Sequence, residues 1–272
     1  MTGAELRAGL RAGRQLYGTL IVADSPRWPD SVAKIGLDFV FIDTEHIAID
    51  RPTLSWMCQT YRALGLPPVV RITAPDPYEA CCVLDGGACG VVAPYVETVA
   101  QAEALCGAVK LRPLKGRRLQ EALRDTASLQ PELAGYIERH NAHQVLLINV
   151  ESQPAIDNLD ALLAVPGVDG VLIGPHDLST SLGLPEQYDH PRFEAAVRTI
   201  FRQARARHLA AGIHSWMGVE RELSWAGPEG ANFFIHEGDI IAMRIKLTSD
   251  LAALRARLGG TATGPAAGTE NI

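Results

Sequence analysis

Two segments, Val145-Leu-Leu-Ile-Asn-Val-Glu151 and Val171-Leu-Ile-Gly-Pro-His-Asp177, share one pattern, an apolar run that ends on an acidic residue. A third segment, Phe39-Val-Phe-Ile-Asp-Thr-Glu-His46, ends in the same way. Apolar runs of this length bounded by turn residues are typical of buried parallel strands. The acids are therefore expected at the carboxyl edge of a parallel sheet, where α/β proteins place their active sites.

Strand and helix patterns alternate along the rest of the chain. The eight predicted strands are Leu16–Val22, Phe39–Asp43, Pro68–Ile72, Gly90–Pro94, Gln144–Val150, Gly170–Ile173, Ala211–His214 and Asn232–His236. Helix-start signals lie between them, such as the capping pattern Thr98-Val-Ala-Gln101. Eight such units in 272 residues predict an α/β fold with a single domain, a (β/α)₈ TIM barrel, over residues 1–258.

Two segments fall outside this alternation. Residues 110–141 are too long for one connection, and they predict a loop with one extra helix. Residues 259–272 are rich in glycine, alanine and threonine and predict a flexible tail. A doubly wound open sheet is the competing fold, but it usually has a glycine-rich fingerprint after its first strand, which residues 16–24 lack.

Composition narrows the possible partners. The net charge of −6 and the absence of a basic run argue against nucleic acid. The sequence contains no apolar stretch of signal-peptide or transmembrane type, so we expect no membrane association and a cytoplasmic protein. Small molecules are therefore the expected ligands.

Acids on neighbouring strand ends can share one cation, because adjacent strands lie about 4.8 Å apart and magnesium–oxygen bonds measure roughly 2.0–2.1 Å. Each residue alone has a structural alternative: an acid after a strand is often a helix cap, and a lone histidine is more often structural than catalytic. A barrel, however, brings all the strand ends into one cup. The four lysines lie away from the predicted strand ends, which disfavours a Schiff-base mechanism.

Six short motifs occur in a recognisable order. They are Phe41-Ile-Asp-Thr-Glu-His46, Val70-Arg71-Ile, Leu84-Asp85-Gly-Gly-Ala, Ala93-Pro-Tyr-Val-Glu-Thr98, Asn149-Val-Glu-Ser152 and Gly174-Pro-His-Asp-Leu-Ser179. Together they resemble the HpcH/HpaI aldolase family, the metal-dependent class II pyruvate aldolases. The resemblance extends from about residue 18 to the eighth helix of the barrel.

The resemblance implies roles for five residues. Glu151 and Asp177 match the acids that bind a divalent metal ion, with magnesium, manganese, cobalt or zinc as candidates. His46 matches the catalytic base, and Asp85 matches the acid that raises its basicity. Arg71 matches the arginine that stabilises the enolate transition state, a role suited to a fixed positive charge.

The resemblance also implies a substrate-binding set, Asn149, His176, Gly174 and Asp43. Two of these depart from the usual family pattern: Asn149 replaces a longer glutamine, and His176 replaces a small residue. His176 and the basic segment 115–118 suggest an acceptor larger or more anionic than that of typical members, although a solvated surface loop is an equal explanation for the basic segment.

The expected function is therefore a divalent-metal-dependent aldolase, a carbon–carbon lyase that joins or separates a 2-keto acid enolate and an aldehyde. One alternative is a CoA-thioester lyase of the citrate lyase β-subunit or malyl-CoA lyase type. Another is a non-catalytic binding barrel. The resemblance further implies a homo-oligomer, a hexamer or a trimer, and the apolar eighth helix is compatible with this.

Overall fold

The computed structural model describes residues 1–259 and contains a closed barrel of eight parallel strands. Each strand pairs with the next, and the last pairs with the first. The strands are β1 (Leu16–Leu20), β2 (Phe39–Asp43), β3 (Pro68–Arg71), β4 (Gly90–Ala93), β5 (Val145–Asn149), β6 (Gly170–Ile173), β7 (Ala210–Ser215) and β8 (Phe233–Gly238). The predicted (β/α)₈ barrel is confirmed, and the predicted strand ends differ by at most two residues.

The helices surround the barrel and connect its strands. They are α1 (Gly3–Arg11), α2 (Trp28–Val32), α3 (Arg51–Ala63), α4 (Pro77–Asp85), α5 (Val99–Lys110), α6 (Gly116–Arg124), α7 (Pro131–Asn141), α8 (Gln153–Asp157), α9 (Leu159–Leu163), α10 (Pro175–Ser181), α11 (Pro191–Ala206), α12 (Val219–Trp225) and α13 (Asp239–Leu258). A 3₁₀ turn, Thr126–Ser128, lies between α6 and α7. The prediction of one extra helix in residues 110–141 was wrong, because this segment contains both α6 and α7.

The hydrophobic core has two parts. One fills the barrel interior, where Phe39 and Phe233 stack with ring centroids 4.2 Å apart. Helix α1 places Leu6 and Leu10 in this interior cluster. Gly18 is required beside it, because a Cβ there would lie 2.4 Å from the ring of Phe39. The second part lies between the strands and the surrounding helices, as expected for a fold with apolar residues on both faces of its strands.

Parallel register brings the strand ends to one rim. Asp43 at the end of β2 stands opposite Arg71 at the end of β3. On the other side of the barrel, β5 pairs with β6, so the segments that follow them leave the sheet side by side. The polar residues of these exits therefore meet at the carboxyl end of the barrel.

The last described helix, α13, ends at Leu258, and Gly259 caps it with a left-handed backbone. Most of the predicted flexible tail, residues 260–272, lies outside the described residues. None of the helices in the described part of the chain combines the length and hydropathy of a membrane span.

Candidate active site

A cavity of about 370 Å³ opens at the carboxyl rim of the barrel. The residues that line it come from segments far apart in the sequence. They are His46, Arg71, Gly174, Pro175, His176, Asp177, His214 and Trp216. Five of the nine residues predicted to form the site thus border one cavity.

Glu151 and Asp177 lie on either side of Gly174. A Cβ at Gly174 would fall 2.7 Å from Oε2 of Glu151 and 3.7 Å from Oδ2 of Asp177, so glycine leaves a void that both carboxylates face. Neither acid forms an ion pair within residues 1–259. Burial raises the pKa of Glu151 to about 7, and repulsion from Asp177 acts in the same direction. A bound cation would compensate this charge.

Two hydrogen-bond donors fix the Glu151 carboxylate. The backbone N–H of Tyr95 donates to Oε1 over 3.0 Å, and the side-chain amide of Asn149 donates to Oε2 over 2.8 Å. Tyr95 adopts a left-handed backbone, with φ +50°, at the point where its amide meets the acid. No pattern in the sequence predicts this contact, because any residue type can supply a backbone amide.

Asn149 was predicted to contact substrate, and the structure places it beside Glu151. The residue is fully buried and does not border the rim cavity. Its amide donates to Glu151 and so orients this acid.

Two acids hold Arg71, one at the end of β2 and one in the segment that follows it. Its Nε and Nη2 donate to Oδ1 and Oδ2 of Asp43 over 2.8 and 2.6 Å, which is a bidentate pair. Its Nε also lies 3.2 Å from Oε2 of Glu45. Burial acts to raise the pKa of Asp43, but the hydrogen bonds and charge of Arg71, together with the backbone hydrogen bond from Glu45, outweigh it and hold that pKa below its ordinary range.

Asp43 was also predicted to bind substrate, and the structure places it against Arg71. Both of its carboxylate oxygens already accept hydrogen bonds from Arg71, and Oδ1 also accepts one from the backbone of Glu45. The acid therefore has its charge and lone pairs directed into the protein. It positions Arg71 rather than facing the cavity.

Glu45 is a site residue to which we assigned no role from the sequence. Burial raises its pKa to about 7, and repulsion from Asp43 and Asp177 adds to this effect, whereas Arg71 opposes it. The side chain lies 3.8 Å from Nε2 of His46. Its position two residues after the end of β2 was the only signal available.

Asp85, which was predicted to raise the basicity of His46, lies away from the rim cavity in the described chain. It is the last residue of α4, its side chain is 70% exposed, and it pairs with Arg112. No hydrogen bond or ion pair joins it to His46 within residues 1–259. The reason is the direction of the connection, since the helix of each βα unit runs back from the rim along the outside of the barrel.

The remaining predicted residues divide between the cavity and the surface. His46 and His176 both border the cavity, and Nδ1 of His176 lies 4.0 Å from a carboxylate oxygen of Glu186. The basic segment 115–118 is exposed at the start of α6 and does not line the cavity. It therefore does not support an anionic acceptor.

The donor set fits a hard divalent cation. Two carboxylates face one void, and Arg71 is the principal cation beside them. No third acid, histidine or cysteine in the described chain joins them in a metal-ligand cluster. Two protein carboxylates are enough for magnesium, which usually keeps several waters or substrate oxygens as its other ligands.

A barrel whose rim combines two unpaired acids, a fixed arginine and a histidine defines a class of enzyme that controls negative charge on a small substrate. Residues 17–225 match the family model described as HpcH/HpaI aldolase/citrate lyase. The chain belongs to this family.

Relatives and solved structures agree with this assignment. The chain is 32% identical to the 2-keto-3-deoxy-L-rhamnonate aldolase of Salmonella gallinarum (strain 287/91 / NCTC 13346), over 92% of each chain. It is 33% identical to the enzyme of that name from Klebsiella pneumoniae subsp. pneumoniae, over 84% of each chain. The HpcH/HpaI aldolase of Desulfitobacterium hafniense DCB-2 superposes with a TM-score of 0.78 at 25% identity, covering 92% of this chain and 96% of that one.

A second solved structure is about equally similar to this chain in fold. The citrate synthase SbnG superposes with a TM-score of 0.79 at 28% identity, covering 93% of this chain and 98% of that one. The chain is therefore an enzyme, a carbon–carbon lyase of the aldolase type, in a family whose members generally depend on a divalent metal ion.

Proposed function

We propose that this enzyme makes and breaks an aldol bond between the enolate of a pyruvate-like 2-keto acid and an aldehyde. One observation carries the proposal: Glu151 and Asp177 face a common void beside Gly174, at the rim cavity that Arg71 also borders. This arrangement places a cation site and a fixed guanidinium within reach of one small anionic substrate.

Glu151 and Asp177 are the residues that would hold the metal ion. These two residues offer the metal ion only carboxylate oxygens. Such ligands suit magnesium or manganese better than zinc or cobalt, which prefer imidazole or thiolate ligands. When bound, the ion acts as a Lewis acid toward the negative charge that develops on the keto acid. Asn149 and the amide of Tyr95 keep Glu151 oriented for this role.

Arg71 contributes a second positive charge. Nε and Nη2 of Arg71 donate to Asp43. This leaves Nη1 of Arg71 without a hydrogen bond in the described chain and available to a substrate oxygen. Because the bidentate pair fixes the guanidinium plane, its charge needs no reorganisation as the enolate forms. His46, which borders the same cavity, is placed to move the proton of the aldol hydroxyl.

The relatives indicate a substrate class. Cleavage of 2-keto-3-deoxy-L-rhamnonate between C3 and C4 yields pyruvate and a three-carbon 2-hydroxy aldehyde, and we infer the same reaction type for this chain. A CoA-thioester lyase is less favoured. The two citrate lyase structures that resemble the chain are 14% and 18% identical to it, so they indicate the fold alone.

We also infer that the enzyme is a homo-oligomer, a trimer or a hexamer. Helix α13 has no buried residue in the described chain. Its large apolar side chains are instead about half exposed or more: Met243, Ile245, Leu247, Leu251, Leu254 and Leu258. A second copy of the chain would bury this apolar surface.

The reaction is tested with pyruvate and a panel of aldehydes, using enzyme stripped with a chelator and then supplied with one metal ion at a time. Mass spectrometry should detect aldol products with magnesium or manganese and none in the chelated sample. Borohydride should trap no pyruvate adduct. A reduced-pyruvate mass on any lysine would contradict the metal mechanism, as would full activity in the chelator.

A further inference from the structure

His214 borders the rim cavity but has no part in the steps above. It lies near the end of β7, where its ring packs 5.9 Å from the ring of Phe41 and 5.6 Å from that of Trp216. Strands β5, β6 and β7 are consecutive in the barrel. His214 therefore lies on the strand next to the one that leads to Asp177, and both residues border the same rim cavity.

A single hydrogen bond fixes the tautomer of this imidazole. Nε2 of His214 lies 3.1 Å from the backbone carbonyl oxygen of Glu237. A carbonyl can only accept, so Nε2 carries the proton and Nδ1 is left as an acceptor. Glu237 holds a left-handed backbone, with φ +54°, where its carbonyl meets the ring, so this contact is built into the end of β8.

The acceptor atom is free and the ring is neutral. Nδ1 has no hydrogen-bond partner within residues 1–259. The atom is not sealed off by the surrounding protein, so it remains accessible at the cavity. Burial lowers the pKa of His214 to about 4; the bond to Glu237 opposes this and the charge of Arg71 adds to it. At neutral pH, the uncharged imidazole of His214 thus offers the lone pair of Nδ1 to a molecule in the cavity.

We propose that Nδ1 of His214 accepts a hydrogen bond from a hydroxyl group of the aldehyde, so that the enzyme selects hydroxylated acceptors over their deoxygenated analogues. A lone pair repels carboxylate and phosphate oxygens, so it cannot serve the keto acid's carboxylate or an anionic acceptor. An acceptor that lacks the hydroxyl leaves Nδ1 without a partner once water is displaced. This inference rests on the proposed aldol reaction.

The test compares two aldehydes that differ by one hydroxyl group, lactaldehyde and propanal, each with pyruvate and magnesium. The quantity measured is the ratio of their kcat/KM values. His214→Leu removes the acceptor, and His214→Asn retains one, because its amide oxygen occupies nearly the place of Nδ1. His140→Leu, at an exposed histidine of α7, is the matched control.

The parent enzyme and His140→Leu should prefer lactaldehyde. In His214→Leu the ratio should fall roughly three- to tenfold, the range expected for one neutral hydrogen bond, and His214→Asn should recover part of it. An unchanged ratio in His214→Leu, or an equal loss with both aldehydes, would overturn the assignment. Exchange of the pyruvate methyl protons in D₂O, followed by NMR without any aldehyde, tests enolate formation separately. If the parent lacks this exchange, the proposed function fails rather than the role of His214.

Discussion

Glu151 and Asp177 carry the same charge but are held in different ways. Glu151 is buried and has two hydrogen-bond donors, whereas Asp177 lies in the first turn of α10 and borders the cavity. Burial raises the pKa of Glu151 to about 7, and repulsion from Asp177 adds to this effect. At the scale of single residues, the site therefore consists of two carboxylates, one of them held in a fixed orientation, whose negative charge a bound cation would compensate.

We predict that Glu151→Ala and Asp177→Ala each weaken binding of magnesium or manganese by more than about a hundredfold, because even the loss of a supporting residue behind a metal ligand costs about 10–100-fold. Thermal unfolding of both variants should remain cooperative. Calorimetric metal titration is the measurement, and Asp157→Ala, at an exposed acid of α8, is the control. Binding as tight as that of the parent in either variant would remove that residue from the metal site.

Helix placement depends on a second charge cluster, at the opposite end of the barrel. Asp169, just before β6, is fully buried and accepts from Nε of Arg7 on α1 over 2.9 Å and from the backbone of Leu146 over 2.9 Å. Lys110, at the end of α5, completes the cluster. The carboxylate of Asp169 thus connects two helices to two strands. Lys110, the most buried of the four lysines, is paired with this acid far from the rim.

We predict that Asp169→Ala lowers the free energy of unfolding by about 3 kcal/mol at pH 7, because it leaves Lys110 buried without its partner. Asp160→Ala, which removes an exposed ion pair with Arg207, should cost less than about 1 kcal/mol. Urea denaturation measures both values. Equal costs for the two variants would show that the buried cluster contributes no more than a surface pair.

The same comparison has a pH dependence with a defined sign. Burial acts to raise the pKa of Asp169, but Lys110 and Arg7 outweigh it and hold that pKa below the ordinary value of 3.8. The stabilisation is therefore present above pH 3.8 and is lost as the pH falls through the lower, folded-state pKa. The difference in stability between Asp169→Ala and the parent should narrow in denaturation experiments as the pH is lowered below 3.8.

At the scale of the whole molecule, the barrel is closed but its last helix is not covered. Helix α13 follows β8 and extends over twenty residues without burying a side chain in the chain described. Exposed apolar surface of this extent is typical of an interface between subunits. The molecule as described is thus one protomer of the proposed assembly.

We predict that the double substitution Leu247→Glu and Leu251→Glu converts the oligomer to a smaller species, because charges would be buried without partners at the interface. Light scattering coupled to gel filtration measures the mass. Leu223→Glu, at an exposed leucine of α12, should leave the mass unchanged. A parent protein that runs as a monomer at micromolar concentration would disprove the proposed assembly.

The sequence by itself determined the barrel and the rim. Eight apolar runs of strand length, separated by helix patterns, leave few arrangements other than a closed parallel sheet. Because strand order follows from the short connections, the position of Arg71, Glu151 and Asp177 at one end could be predicted from their place at or shortly after the ends of β3, β5 and β6. Local rules also worked, as with the cap that Thr98 and Gln101 form at the start of α5.

Only the tertiary structure decided which side chains touch. It turned Asn149 toward Glu151 and Asp43 toward Arg71, and it left Asp85 outside the site. These outcomes depend on differences of a few ångströms and on side-chain directions set by packing between residues distant in sequence. Sequence patterns specify the face and the end of an element on which a residue lies, but hydrogen bonds also require distance and angle, which only the folded chain supplies.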